Sequence, residues 1–165
     1  MSKDNSQDNQ EKELQLLIEN YEEAKSKGES IYFDASDFAD IANYYIEMYM
    51  YSEAAELLDL ALSIHAENTE LLLEKALLHM EYSQTDEARE VLYSIKDDTH
   101  IGVIVEKAQL ELMERTDELS VKKAMDIMSA INEEDRDLPL LIEVYNIFLS
   151  QKLYSPAKHW LDIIT

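Results

Sequence analysis

The sequence predicts an all-α protein, a stack of helix-turn-helix hairpins (an α-solenoid) preceded by one leading helix. Three observations carry that expectation. Glycine and proline number two each in 165 residues, so little interrupts a helix. Apolar residues recur at i, i+3, i+4 and i+7 from Leu14 onward. An alanine followed by apolar residues four and seven positions later also occurs four times, as Ala54-Leu58-Ala61, Ala88-Leu92-Ile95, Ala124-Met128-Ile131 and Ala157-Leu161-Ile164. Successive alanines lie 34, 36 and 33 residues apart, a period that marks repeated helical pairs rather than one fold around a central active site.

The elements follow in order. Residues 1–10 are polar and are expected to be disordered. From Glu11, Leu14, Leu17, Ile18 and Tyr21 form one face of a leading helix that Gly28 stops. Residues 11–34 thus hold the leading helix and a bridge. That helix either caps the first hairpin or lies in the groove of the stack. Asp34 is placed to cap the next helix, on which Phe38, Ile41, Ala42 and Tyr45 share a stripe. After a break at 49–52, Ala54, Leu57, Leu58, Ala61 and Ile64 stripe its partner.

The scheme then repeats. Leu72, Ala76 and His79 lead to Ala88, Val91, Leu92 and Ile95; Ile104, Ala108 and Leu112 lead to Ala124, Ile127, Met128 and Ile131. The inner turn of this third pair, Arg115 to Ser120, is about four residues longer than the others. In the fourth pair Leu141, Val144, Tyr145 and Phe148 precede Ala157, Trp160, Leu161 and Ile164, with Ser155-Pro156 as expected N-cap and first helical residue. The repeats are 35–68, 69–100, 101–134 and 135–165. The last ends in an apolar helix, so the array is expected either to continue beyond residue 165 or to be covered there by a second copy.

Composition narrows function. With 36 acidic and 14 basic residues the formal net charge is −22, which disfavours nucleic acid and anionic membranes and could attract a basic partner. No cysteine is present, which excludes disulfides and thiolate chemistry. No apolar run of about 18 residues exists, and the polar start does not resemble a signal peptide; a cytoplasmic protein is expected. The histidines at 65, 79, 100 and 159 have no metal-ligand spacing, and no phosphate loop, nucleophile elbow or calcium loop occurs. No enzyme activity, cofactor or metal is expected.

The hairpins resemble the tetratricopeptide repeat. Phe38-x2-Ile41-Ala42-x2-Tyr45 with Ala54-x3-Leu58-x2-Ala61 follows its signature nearly in full. Leu72-x2-Lys75-Ala76-x2-His79, Ile104-x2-Lys107-Ala108 and Leu141-x2-Val144-Tyr145-x2-Phe148 follow it more loosely. No proline ends a repeat, Tyr49 and Ser83 stand at the usual glycine turn, and Lys75 and Lys107 replace apolar residues, their stems expected on the core and their ammonium groups outside. The resemblance spans about residues 35–165 and implies a right-handed superhelix whose first helices line a concave groove.

It places Asn43, Ile46, Leu73, Leu77, Met80, Val105, Gln109, Leu112, Met113, Ile142, Asn146 and Leu149 in that groove. The stripe is apolar, as an interaction site would be, and fits a bound peptide or helix. The lysine set with which some members clamp a C-terminal carboxylate is missing. The implied function is a protein-binding scaffold or adaptor; a self-assembly module and an accessory region of a larger enzyme or regulator are the alternatives. The partner itself stays unidentified.

Overall fold

The structure, a computed structural model, describes residues 3–164 and side chains from 9 to 163. Among the described residues the chain is all-α, with no strand. The helices are α1 (Lys3–Lys27), α2 (Ala35–Glu47), α3 (Tyr51–Ile64), α4 (Thr69–Glu81), α5 (Thr85–Ser94), α6 (Ile101–Glu114), α7 (Glu118–Met128), α8 (Leu138–Ser150) and α9 (Tyr154–Ile164). They form two compact units, residues 1–78 and 79–165, divided within α4.

In the first unit α1 starts well before Glu11, so residues 3–10 are helix rather than the disordered segment expected. The segment lacks glycine, proline and β-branched residues, and a helix already formed extends at one hydrogen bond per residue fixed. Met1 and Ser2 lie outside the described residues. Gly28 (φ +65°) ends α1 in a Schellman turn: its own N–H donates to Lys25 O and the Glu29 N–H to Ala24 O.

The bridge 29–34 carries the chain back so that α1 and α2 run in the same direction. Gln10 and Leu17 of α1 border the same hollow as Asp37 and Asn43 of α2. Further along, the Tyr21 and Tyr45 rings meet edge to face at 6.5 Å. The Tyr45 hydroxyl donates to the Glu22 carboxylate. Ile31 and Phe33 of the bridge pack on the core, and the His65 ring Nε2–H donates to Phe33 O at 2.8 Å. The core itself is Phe38, Ile41, Ala42, Tyr45, Ala54, Leu57, Leu58 and Ala61, joined by Leu71 and Leu78 of α4. Asp34 precedes α2 but makes no side-chain cap bond. Asn68 does cap α4, accepting from the Leu71 N–H at 3.1 Å.

In the second unit α6 pairs with α7, α8 with α9, and α5 rests on α6. Its core joins Ile104, Ala108, Leu112, Ala124, Met128, Val144, Phe148, Ala157 and Trp160. The alanines of the repeating motif are all buried in this way, because a methyl side chain at a helix crossing lets the two axes approach. Asp117 and Asp137 cap α7 and α8, accepting from Ser120 N–H and Leu140 N–H. In the loop between those helices Arg136 donates twice to Ile131 O and lies over the Trp160 ring at 5.6 Å, tying that loop to α9.

Three local expectations change. Helix α9 begins at Tyr154, so Ser155 is inside the first turn and Pro156 is its third residue, where an N–H has no intrahelical partner to lose. In α4 Ala76 is buried as expected, but Leu71, Leu78 and Met80, rather than Leu72 and His79, are buried with it. Leu161 is exposed, and the Ile164 side chain lies outside those described.

Tyr49, Ser83 and Lys152 hold the left-handed conformation at the ends of α2, α4 and α8, with φ of 59°, 56° and 60°. Each closes a Schellman turn, its N–H bonding three residues back and the next N–H five residues back. The third pair has none of this: Arg115 is extended. The longer inner turn expected from Arg115 to Ser120 is not found, because α7 already begins at Glu118 and the connection 115–117 is as short as those after α2, α4 and α8. The extra residues are wound into the start of α7, ahead of Ala124.

Candidate partner-binding grooves

In the first unit, Asn43 and Leu73 share a hollow of about 410 Å³ between α2 and α4. Its floor is Ala39 and Leu73, and its walls carry Asp40, Glu70 and Glu74. Asp40 and Asn43 also border a second hollow of about 420 Å³, whose far side is α1 with Glu13, Leu14 and Leu17. The leading helix is therefore a wall beside α2 and does not fill the hollow between α2 and α4. Asn43 also donates to Glu47 Oε1 at 3.3 Å, one helical turn along.

Charge dominates this face. Burial pushes the Glu74 carboxyl up, and Asp40, Glu47 and Glu70 add to it, so that it titrates at about 7. Its Oε2 is shut off from solvent without a hydrogen-bond partner. Asp40 is raised in the same way, by burial first and then by Asp37 and Glu70. The ion pairs of Lys25, Lys27 and Lys75 go to Glu56, Glu23 and Asp59, away from this hollow.

In the second unit, Gln109, Leu112 and Met113 of α6 and Ile142 and Asn146 of α8 line one hollow of about 510 Å³. Pro139, Glu143, Ile147, Ser150 and Gln151 complete it. Leu112 is buried and serves as floor, whereas Met113, Ile142 and Leu149 are 37%, 44% and 37% exposed. Five of the expected groove residues thus meet here, with Leu149 on the same face of α8 one turn beyond Asn146. Met80 and Val105 are core side chains instead. Ile46 and Leu77 are half-buried and border neither hollow of the first unit.

A charged cluster that the sequence pattern did not point to sits on α5, α6 and α7. Glu111, 6% exposed, accepts from Arg89 Nη1 at 2.6 Å, and Lys123 Nζ lies 2.8 Å from the same Oε1. Arg89 Nη2 reaches Glu114 at 2.8 Å. Burial pushes the Glu111 carboxyl up, but the hydrogen bonds from Arg89 and Lys123 outweigh it and hold the group below the usual carboxylate range. The Lys107 ammonium extends from α6 over the Tyr93 ring, 4.8 Å from its centre, and that of Lys75 reaches Asp59 at 3.4 Å. Both lysines are half-buried, in keeping with stems laid on the core. Only the spacing of partners in three dimensions reveals the Glu111 cluster; in sequence its members are scattered acids and bases.

No cluster of three or more His, Asp or Glu among the described residues is placed to hold a metal ion. No helix among them is long and apolar enough to cross a membrane. The chain matches no protein-family model, no curated protein and no solved structure.

Proposed function

We propose that this chain is a non-enzymatic protein–protein interaction scaffold of tetratricopeptide type, whose hairpins stack as a right-handed superhelix and bind a peptide or helix on the inner faces of their first helices. The observation that supports it most is the convergence of Gln109, Leu112, Met113, Ile142 and Asn146 on one hollow. These residues were selected by repeat position alone, and α6 and α8 are the first helices of their pairs. A hollow lined by apolar and polar side chains in equal number suits a polypeptide ligand, since amide side chains can bond a main chain while apolar ones take its side chains.

The test is capture with the full chain and with a Met113→Asp, Ile142→Asp variant. Both side chains are substantially exposed, so the variant should melt as the parent does. Loss of captured protein at equal melting temperature is the expected result. Capture unchanged by the variant would reject this groove. A self-assembly reading draws on the exposed Leu161 and Ile163 of α9; a mass that stays monomeric at high concentration removes it.

A further inference from the structure

We infer that the α6–α8 hollow takes a segment of another protein that presents a bulky uncharged side chain with a lysine or arginine about one helical turn away. The inference rests on the binding reading above and adds the chemistry of the partner.

The hollow's charge selects the anchor. The second unit holds 18 acidic and nine basic residues, yet the lining includes one ionisable side chain, Glu143. The hollow has an apolar side, with Leu112 as floor beside Met113, Ile142 and Ile147, and a polar side of Gln109, Glu143, Asn146, Ser150 and Gln151. On the apolar side a charged anchor would leave water with no partner to replace its hydration. An uncharged apolar anchor loses nothing there and covers side chains that are now exposed. The volume of about 510 Å³ is ample for a Leu, Met or aromatic side chain and the backbone carrying it. The thioether of Met113 can adjust to either shape.

The flank follows from Glu143. It lies one residue beyond Ile142 and three before Asn146 on α8, so it borders the apolar stripe. A carboxylate at that edge attracts a cation, and the negative charge of the whole unit acts in the same sense. Gln109 and Asn146 then supply donors and acceptors for the main chain between anchor and cation.

The experiment is selection of random peptides displayed against the full chain, repeated with two variants. Selected peptides should carry a large apolar residue and a Lys or Arg three or four positions away. Ile142→Glu should weaken them by about thirtyfold, the scale of losing a buried anchor. Glu143→Lys should weaken the basic-flanked peptides by about three- to tenfold, the scale of a charge at the rim, and in a fresh selection it should turn the flank preference acidic. Both residues are on the surface of α8, and an unchanged melting temperature checks the fold. Peptides that lack an apolar anchor, or that bind Ile142→Glu as well as the parent, overturn this inference while leaving a binding function elsewhere on the chain. An unchanged flank preference in Glu143→Lys overturns the basic flank. A chain that enriches no peptide overturns the binding reading itself.

Discussion

The two units carry equal numbers of acidic residues, 18 each, but five basic residues stand in the first and nine in the second. Their positions matter more than their number. A glutamate is withdrawn from water in each unit: Glu74 on α4 in the first and Glu111 on α6 in the second. Glu111 receives Arg89 and Lys123 and stays ionised below the usual range. Glu74 faces Asp40, Glu47 and Glu70 and is pushed up to about 7. Burial opposes charge in both, so the partners alone set the sign. One unit has built its carboxylate into the fold, and the other leaves it facing a hollow.

That contrast presumes units with separate cores, and the largest expected effect tests it. Phe38 and Phe148 are fully buried, one in each core, and truncating either to alanine should cost about 3–5 kcal/mol. The single tryptophan, Trp160, is in the second core. Phe148→Ala should therefore lower the urea midpoint read by tryptophan fluorescence. Phe38→Ala should instead speed amide exchange in α2 and α3 while leaving that midpoint in place. A common shift in both probes would show one cooperative unit and dissolve the comparison.

Glu74 gives the next effect. Its pKa in the fold is above the ordinary 4.5, so the native state holds the proton more tightly than the unfolded chain does. Stability of the first unit should fall as pH rises from about 4.5 to 7, by at most about 3 kcal/mol. Glu74→Gln removes the titration and should slow exchange of the α4 amides at pH 8 while changing little at pH 5. An equal change at both would assign the effect to packing.

Glu111 should behave oppositely. Its contribution is complete above the ordinary carboxylate pKa and is lost as pH falls through its depressed value. Glu111→Ala takes this partner from Lys123 and from one arm of Arg89, whose other arm keeps Glu114. Both are partly exposed and can recover water, so the expected loss is about 2 kcal/mol, below the full cost of breaking a buried pair. Fluorescence-detected urea melts at neutral pH give the number. Adding Arg89→Met should return part of it; a purely additive double variant would show that the pair is not coupled.

Much of this fold is legible in the sequence because it depends on periodicity. The alanines at 54, 88, 124 and 157 announce helix crossings, whereas the extra residues that read as a longer Arg115–Ser120 turn are taken up as helix, since α7 starts at Glu118. Gly28 reads as a stop and is one. What is illegible depends on choices among near-equal candidates. Leu71 is chosen for the core over Leu72, a shift of 100° on one helix that a run of three leucines does not specify. Asp34 looks like a cap and makes no cap bond, while Asn68 makes one. In the site, repeat position brought five residues to one hollow but also selected Met80 and Val105, which are core. Position on a repeat says which way a residue faces only when the neighbouring helix is known. The Glu111 cluster was beyond reach for the same reason, since its members come from three helices.

The smallest expected effect concerns the turns the two units share. Tyr49 closes a Schellman turn in the first unit, and Ser83 and Lys152 do so in the second, all in the left-handed region that costs a residue with a Cβ about 1–2 kcal/mol. Glycine relieves that cost but gives back about 0.5–1 kcal/mol through the freedom it adds to the unfolded chain. The net gain should be about 0.5–1 kcal/mol for Lys152→Gly, whose backbone bonds to Leu149 O and from Leu153 to Phe148 O need no side chain. Tyr49→Gly should gain less, because its ring meets Tyr51 edge to face at 6.1 Å and that contact is lost. The order of the two gains is the decisive readout, by fluorescence melts for residue 152 and by exchange of the α2 and α3 amides for residue 49. If Lys152→Gly destabilised the second unit, the lysine stem would be packing there, and the left-handed turn would not be the strained element that its φ indicates.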